Sequence, residues 1–367
     1  MRKSFSIVLA VLIVLSIVLS ACAPQATPTA APAEPEATAP AASEVPAEPE
    51  GETPAETEAA AEPAKELKVA AIFPGVITDA DYNTLAYLGL TAVQTNMGIE
   101  TAYSETVAVP DVDRVMREYI DAGFNVIWTH GGQFVTQTTD LAKAFPEIVF
   151  IAEGDNPIEN PPANLWVIDR NFHTGFYAIG ALAAKITQTG KIGYVAGQTL
   201  PFSYAEAHAI QQALADLGSD VEFKYVWAGD FNDPTKARQV SDAMMAEGVD
   251  VLIGSFNLGM FGVFEAVKAN TDSKVLVTAK YADKTTYAPD NYVTALLYDF
   301  EKPLTDIVTA IQNGETGGYY VLGFDTGVAV QMPLRNVDPS VQAEVEEIIE
   351  KIKSGEITVV KDTSPLE

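Results

Sequence analysis

Cysteine is nearly absent from this chain: Cys22 is the only one, so no intrachain disulfide can form. An exported protein without disulfides depends on the size of its core for stability. Histidine is scarce too. His130, His173 and His208 stand far apart and lack the spacing of metal ligands. There is no Gly-x-Ser-x-Gly elbow and no phosphate-binding glycine loop followed by its lysine. These gaps remove the common signatures of nucleophilic, metal-assisted and phosphoryl-transfer catalysis. The expectation is therefore a non-enzyme with no cofactor and no metal. Basic residues are few: 22 Lys and Arg face 50 Asp and Glu, a net charge of −28. No basic stripe interrupts that acidity, which argues against nucleic acid and against anionic lipid headgroups as partners.

What is present at the start gives an address. Arg2 and Lys3 precede an apolar run over residues 5–19, which ends in Leu19-Ser20-Ala21-Cys22. A positive head, an apolar core and small residues before a cleavage point make a secretory signal. Small residues leading into a cysteine are the pattern of a bacterial lipoprotein, with Cys22 as the lipidated first residue. The competing reading is an uncleaved membrane-spanning helix, since the run is nearly long enough. Both place the bulk of the chain outside the cytoplasm, and the first places it lipid-anchored on the extracytoplasmic face of the cell membrane. Residues 23–66 are then built from Ala, Pro, Glu and Thr without an aromatic residue. Such a segment cannot bury enough apolar surface to offset chain entropy, so it reads as a disordered, extended tether. Contact with the membrane is expected through the lipid anchor only.

From residue 67 the pattern changes to alternating apolar strands and amphipathic helices. Strands are expected at 68–73, 101–107, 125–129 and 148–152, with helices at 83–97, 112–122 and 141–145 between them. A long apolar helix at 174–187 leads to a second series. Its strands fall at 191–196, 221–226, 249–254, 274–278 and 292–297, with helices at 204–217, 234–247 and 261–269. Alternation of this kind implies right-handed βαβ crossovers and parallel sheets. The fold expected is α/β, with two Rossmann-like lobes at 67–187 and 188–297 joined by a hinge. Residues 298–367 return to the first lobe, beginning with a helix at 303–313, and include the C-terminal segment. Ligands in open parallel sheets sit at the carboxyl ends of strands, so two facing lobes enclose one cleft. Without heptads or an exposed apolar strand, a monomer is the default.

Candidate contacts are therefore sought in loops after strands. Asp79-Ala80-Asp81-Tyr82-Asn83 follows the first strand; it offers hydrogen-bonding groups and a flat ring, or simply helix caps at Asp79 or Asp81. Trp227 and Phe231 follow a strand of the second series, either lining the cleft or packing between lobes. Asp233-Pro234 in the same stretch is a helix start. Gly131-Gly132-Gln133-Phe134 and Ser255-Phe256-Asn257 occupy corresponding places, as does Ala279-Lys280-Tyr281-Ala282-Asp283. Asp283 suits a ligand hydroxyl or amine, or caps a turn.

At these residues the chain resembles the basic membrane protein family of lipoproteins, which includes purine-nucleoside receptors of ABC importers. The likeness runs from about residue 67 to 330. It is carried by Asp79 to Asn83 with Tyr87, Gly89 and Leu90, and by Gly132-Gln133-Phe134 through Phe145-Pro146. Two further motifs are Gln188-Thr189-Gly190-Lys191-Ile192-Gly193-Tyr194-Val195 and Phe231-Asn232-Asp233-Pro234-Thr235-Lys236. The resemblance implies a type I periplasmic binding protein, with a base held between aromatic rings and polar groups on a ribose. Carried over, Asp79, Tyr82, Asn83, Tyr87, Phe134, Trp227 and Phe231 become ligand contacts, and an ABC permease becomes the partner. Tyr281 stands where nucleoside-binding members have a sugar-contacting carboxylate, and Tyr298 where they have a pocket lysine. Together these features predict a solute receptor for a purine nucleoside or related planar molecule. The alternative is a sensory lipoprotein that signals to a membrane receptor.

Overall fold

The computed structural model describes residues 66–366. The expected signal segment with Cys22, and the tether as far as residue 65, lie outside the described residues.

Along the chain, β1 (Lys68–Ile72) leads to α1 (Tyr82–Met97), β2 (Glu100–Ser104), α2 (Val112–Asp121) and β3 (Val126–Thr129). Next come α3 (Val135–Ala144), β4 (Val149–Gly154) and β5 (Leu165–Arg170). The second series is α4 (Phe172–Ile186), β6 (Lys191–Ala196), α5 (Pro201–Asp216), β7 (Glu222–Trp227) and α6 (Pro234–Ala246). It continues with β8 (Val251–Ser255), α7 (Met260–Ala269), β9 (Leu276–Tyr281) and β10 (Tyr292–Tyr298). The last elements are α8 (Glu301–Gln312), β11 (Gly318–Leu322), β12 (Val328–Val330) and α9 (Pro339–Ser354).

Two six-stranded sheets result, ordered β11-β5-β4-β3-β1-β2 and β12-β10-β9-β8-β6-β7. Every pairing is parallel except β10 with β12. Helices cover both faces of a parallel sheet, so its inner strands are apolar throughout rather than alternating. That is why β1, β3, β4 and β8 were visible as apolar runs: all of Val126–Thr129 and Val251–Ser255 is buried.

The chain passes between sheets three times: after β5, after β10, and between β11 and β12. The division expected at residue 187 differs from this arrangement. Helix α4 packs on α5 and β8, so the passage falls after Arg170, one helix earlier. The reason is composition. Nearly all of α4 is buried, including Phe176, Ile179 and Leu182, and a helix that apolar must lie between other elements. Helix α8 packs against α1 of the first lobe, whereas β12 and α9 lie with the second. Parallel strands point their carboxyl ends one way in each lobe. Glu153, Arg170, Tyr281 and the loops beyond them meet between the lobes.

Candidate functional site

A cavity of about 660 Å³ lies between those strand ends. The first lobe contributes Tyr82, Asn83, Gln133, Asp155, Asn156 and Arg170 to its wall; the second contributes Gln198, Phe202, Phe231, Asn232, Asn257 and Tyr281. Its lining mixes aromatic rings with amide side chains and one ion pair.

The start of α1 is built around Asp79. Its carboxylate accepts from the backbone N–H of Asp81, Asn83 and Thr84 at 3.0–3.1 Å, and from Asn83 Nδ2 at 2.7 Å. A carboxylate suits this place because the first N–H groups of a helix have no internal acceptor. Asp79 thus caps the helix and aims Asn83, leaving Asn83 Oδ1 without a protein partner. Gly75 makes room: a Cβ there would sit 2.7 Å from Asn83 Nδ2.

Tyr82 stacks on His130, with centroids 3.8 Å apart, and its hydroxyl donates to the buried carboxylate of Glu153. His130 Nδ1 meets the other oxygen of Glu153, while Nε2 lies 3.1 Å from the Tyr82 carbonyl. Arg170, only 5% exposed, donates to Asp155 Oδ2 at 2.7 Å and approaches the Tyr82 hydroxyl at 3.4 Å. Burial pushes the Glu153 carboxyl up, but His130, Arg170 and Tyr82 together outweigh it and hold it below its ordinary value. Burial, helped by the Glu153 carboxylate and opposed by Arg170, raises the Tyr82 phenol well above its usual range. Burial also works against the Arg170 charge, yet Asp155, Tyr82 and Glu153 more than compensate, so it stays cationic.

On the opposite wall, Phe231 packs closely against Gly197, where a Cβ would fall 2.1 Å from its ring. It stacks with Phe202 at 5.9 Å, and its carbonyl accepts from the N–H of Asn257 and Gly259 at 3.1 and 2.9 Å. Tyr281 closes the wall at φ 79°, a left-handed conformation that is unfavourable for a bulky residue. Outliers of this kind persist where the surroundings fix them, and they gather at functional sites.

Of the expected contacts, Tyr82, Asn83, Phe231 and Tyr281 share the cavity wall, with Asp79 directly behind Asn83. The others are not on that wall. Tyr87 packs edge-on against Tyr103, and Phe134 is fully buried beneath the first sheet. Trp227 sits among Tyr194, Tyr204 and Tyr225 and donates from Nε1 to Ser203 Oγ at 3.2 Å. Phe256 is fully buried in the second lobe's core. Asp283 closes a turn by accepting from Thr285 N–H and Oγ1 at 2.8 and 2.6 Å. Tyr298 is buried between Phe172 and Tyr281, its hydroxyl without a protein partner.

Arg170, Asp155 and Phe202 on the cavity wall had not been singled out from the sequence. Nor had the buried pair of Lys280 with Glu206, Nζ to Oε1 2.5 Å, behind Phe202 and Tyr281. One signal was available: Lys280 and Arg170 interrupt or end otherwise apolar strands, where a charge must find a partner.

Two buried groups give the folded protein opposed responses to pH. Burial raises the Asp81 carboxyl to about 7, against the pull of Lys284 and Lys280 and with help from Asp79. Burial, assisted by Lys361 and opposed by Asp169, lowers the His173 imidazole to about 4. Between pH 7 and 5 the native chain holds the Asp81 proton that an exposed carboxyl releases, so this group adds stability as pH falls. Over the same span unfolded His173 takes up a proton that the native imidazole refuses, so that group removes stability. Each is worth on the order of 2 kcal/mol. Thermal unfolding of His173→Gln is expected to shift upward as pH falls from 7 to 5, and that of Asp81→Asn downward.

Two facing α/β lobes, three passages between them and a polar, aromatic-walled cavity at their strand ends define a type I periplasmic binding protein. Within that class the chain belongs to the Bmp family. The family model, described as ABC transporter substrate-binding protein PnrA-like, matches residues 66–363. The chain is therefore a substrate-binding protein of the ABC-transporter type. A purine-binding protein of Brucella abortus (strain 2308) is 25% identical over 71% of this chain and 72% of its own length. Basic membrane protein A2 of Borrelia garinii subsp. bavariensis is 27% identical over 80% of this chain and 88% of its own. In fold, the chain is similar to an ABC transporter solute-binding protein from Aeropyrum pernix K1. That match has a TM-score of 0.71 at 21% identity and covers 81% of this chain and 94% of the other. Among the described residues no helix is long and apolar enough to cross a membrane.

Proposed function

We propose that this chain is a lipid-anchored receptor on the extracytoplasmic face of the cell membrane. It captures a purine nucleoside or related planar molecule between its lobes and presents it to an ABC permease. The observation that carries the reading is the cavity wall itself: Tyr82 and Phe231 come from different lobes, and amides from Asn83, Gln133, Asn156, Gln198, Asn232 and Asn257 surround them. Flat rings supply stacking area for a base, and side-chain amides both donate and accept hydrogen bonds, as a base edge and a ribose require. The purine-binding relative supports the same ligand class. No ionised pair in this wall calls for a strongly charged ligand, since Arg170 is already matched by Asp155. The anchor rests on the Leu19-Ser20-Ala21-Cys22 sequence.

Calorimetric titration tests the ligand. Residues 23–367, unfolded and refolded to strip carried ligand, are titrated with purine and pyrimidine nucleosides, free bases and pentoses. Saturable one-to-one binding of a purine nucleoside is expected. Absence of heat with every nucleoside and base would remove the ligand class and leave the family and fold in place. Incorporation of labelled fatty acid into the wild-type chain, lost in Cys22→Ser, tests the anchor.

A further inference from the structure

One ion pair joins the lobes beside the cavity. The Lys284 ammonium, three residues beyond β9 in the second lobe, contacts the carboxylate of Asp81, the residue before α1 in the first. Asp81 is fully buried and Lys284 is 2% exposed. The ammonium also reaches the Lys280 carbonyl at 3.5 Å, and Asp81 Oδ2 has no protein partner. Cavity-lining residues flank the pair on both sides: Tyr82 and Asn83 follow Asp81, and Tyr281 precedes Lys284. The Tyr82 and Tyr281 rings, one from each lobe, lie 5.8 Å apart.

An ion pair on a surface holds little, but a buried one behaves differently. Removing one partner strands the other charge in a low-dielectric setting, whereas replacing both by neutral groups is often tolerated. Here the charges meet only while the lobes are together, because the residues belong to different lobes and are 203 positions apart in sequence. Opening the cleft returns both to water. The pair therefore contributes to the balance between open and closed forms, and not merely to the stability of either lobe. We propose that Asp81 and Lys284 form a charge-matched latch that holds the lobes closed and slows ligand release. The latch rests on the chain being a binding protein that closes on its ligand; guanosine serves below as a probe.

Two readouts on the chain of residues 23–367, taken at about pH 8.5 where Asp81 is ionised, separate the latch from the ligand assignment. Small-angle scattering of the ligand-free protein needs no ligand at all. Lys284→Met is expected to increase the radius of gyration, and Asp81→Asn with Lys284→Met to return it to the wild-type value. Stopped-flow release of guanosine is expected to be at least tenfold faster in Lys284→Met and within about threefold of wild type in the double variant. If guanosine does not bind, the ligand class fails and scattering alone decides the latch. A wild-type radius for Lys284→Met, or a double variant no more closed than the single, overturns the proposal. Should Lys284→Met fail to fold, Lys284→Gln, which also strands the Asp81 carboxylate, carries the test: a larger radius than wild type supports the latch, and a wild-type radius overturns it.

Discussion

Lys280→Met is expected to lower the thermal midpoint by roughly 5 to 8 °C, from a loss of about 3 to 5 kcal/mol. The lysine is completely buried in a box of rings, with Nζ 4.6 Å from the Phe172 centroid, 4.7 Å from Phe202 and 4.8 Å from Tyr281. Burial pulls its pKa down, and Glu206 only partly restores it. The methionine side chain fills much the same space, so the loss comes from charge rather than volume. It leaves the Glu206 carboxylate with two hydroxyl donors, Tyr194 at 2.7 Å and Ser255 at 2.8 Å, and no cation. A carboxylate buried without its counter-ion takes up a proton or destabilises the fold. Adding Glu206→Gln should recover at least half of the loss, because a neutral amide keeps both hydroxyl contacts without the charge. Thermal and urea unfolding of the single and double variants measure this directly. A single variant within about 1 kcal/mol of wild type would mean that Glu206 loses its cation at little cost, by taking up a proton or regaining water, and would overturn the prediction.

The same physics explains what the sequence disclosed. Strands buried on both faces announce themselves as apolar runs, and β1, β3, β4, β6 and β8 all did. Strand β5 passed unnoticed because Asp169 and Arg170 break its apolar run. Both charges are buried there by partners distant in sequence: Tyr319 and Lys361 for Asp169, Asp155 for Arg170. Edge strands β11 and β12 alternate more and less exposed residues over only five and three positions, too short for a period to register. The strand expected over 101–107 stops at Ser104, where Glu105 turns to accept the Ile77 N–H at 2.7 Å.

For the site, local chemistry was legible and orientation was not. The helix-start pattern marked Asp79, Tyr82 and Asn83 either as contacts or as caps, and Asp79 does cap, accepting from the N–H groups of Asp81, Asn83 and Thr84. Phe134 and Phe256 also follow strand ends, but their rings turn inward to fill the cores. Nothing within three residues of either aromatic decides which way it turns; the packing of a whole layer does. Ion pairs such as Lys280 with Glu206 join residues 74 positions apart and have no local signature.

That distinction gives Phe231 and Trp227 opposite expected phenotypes, although Trp227 ends β7 and Phe231 stands only four residues on. Phe231→Ala removes a ring from the cavity wall. Stacking on a planar ligand contributes about 1–3 kcal/mol per ring, so its affinity for guanosine should fall by about 5- to 150-fold. The fold should tolerate the change, because the Phe231 backbone keeps its hydrogen bonds to Asn257 and Gly259. Trp227→Ala empties a half-buried cluster of tyrosines and leaves Ser203 Oγ without its indole donor. Ser203 Oγ also accepts from the Leu200 N–H and donates to the Gln198 carbonyl, shaping the loop that enters α5. The loss should appear as about 2–4 kcal/mol of stability, with affinity for guanosine held within roughly threefold. Calorimetry and thermal unfolding on both variants separate the two effects. If Trp227→Ala abolishes binding while Phe231→Ala does not, the base stacks outside the cavity between the strand ends, and the wall described here is not the ligand site.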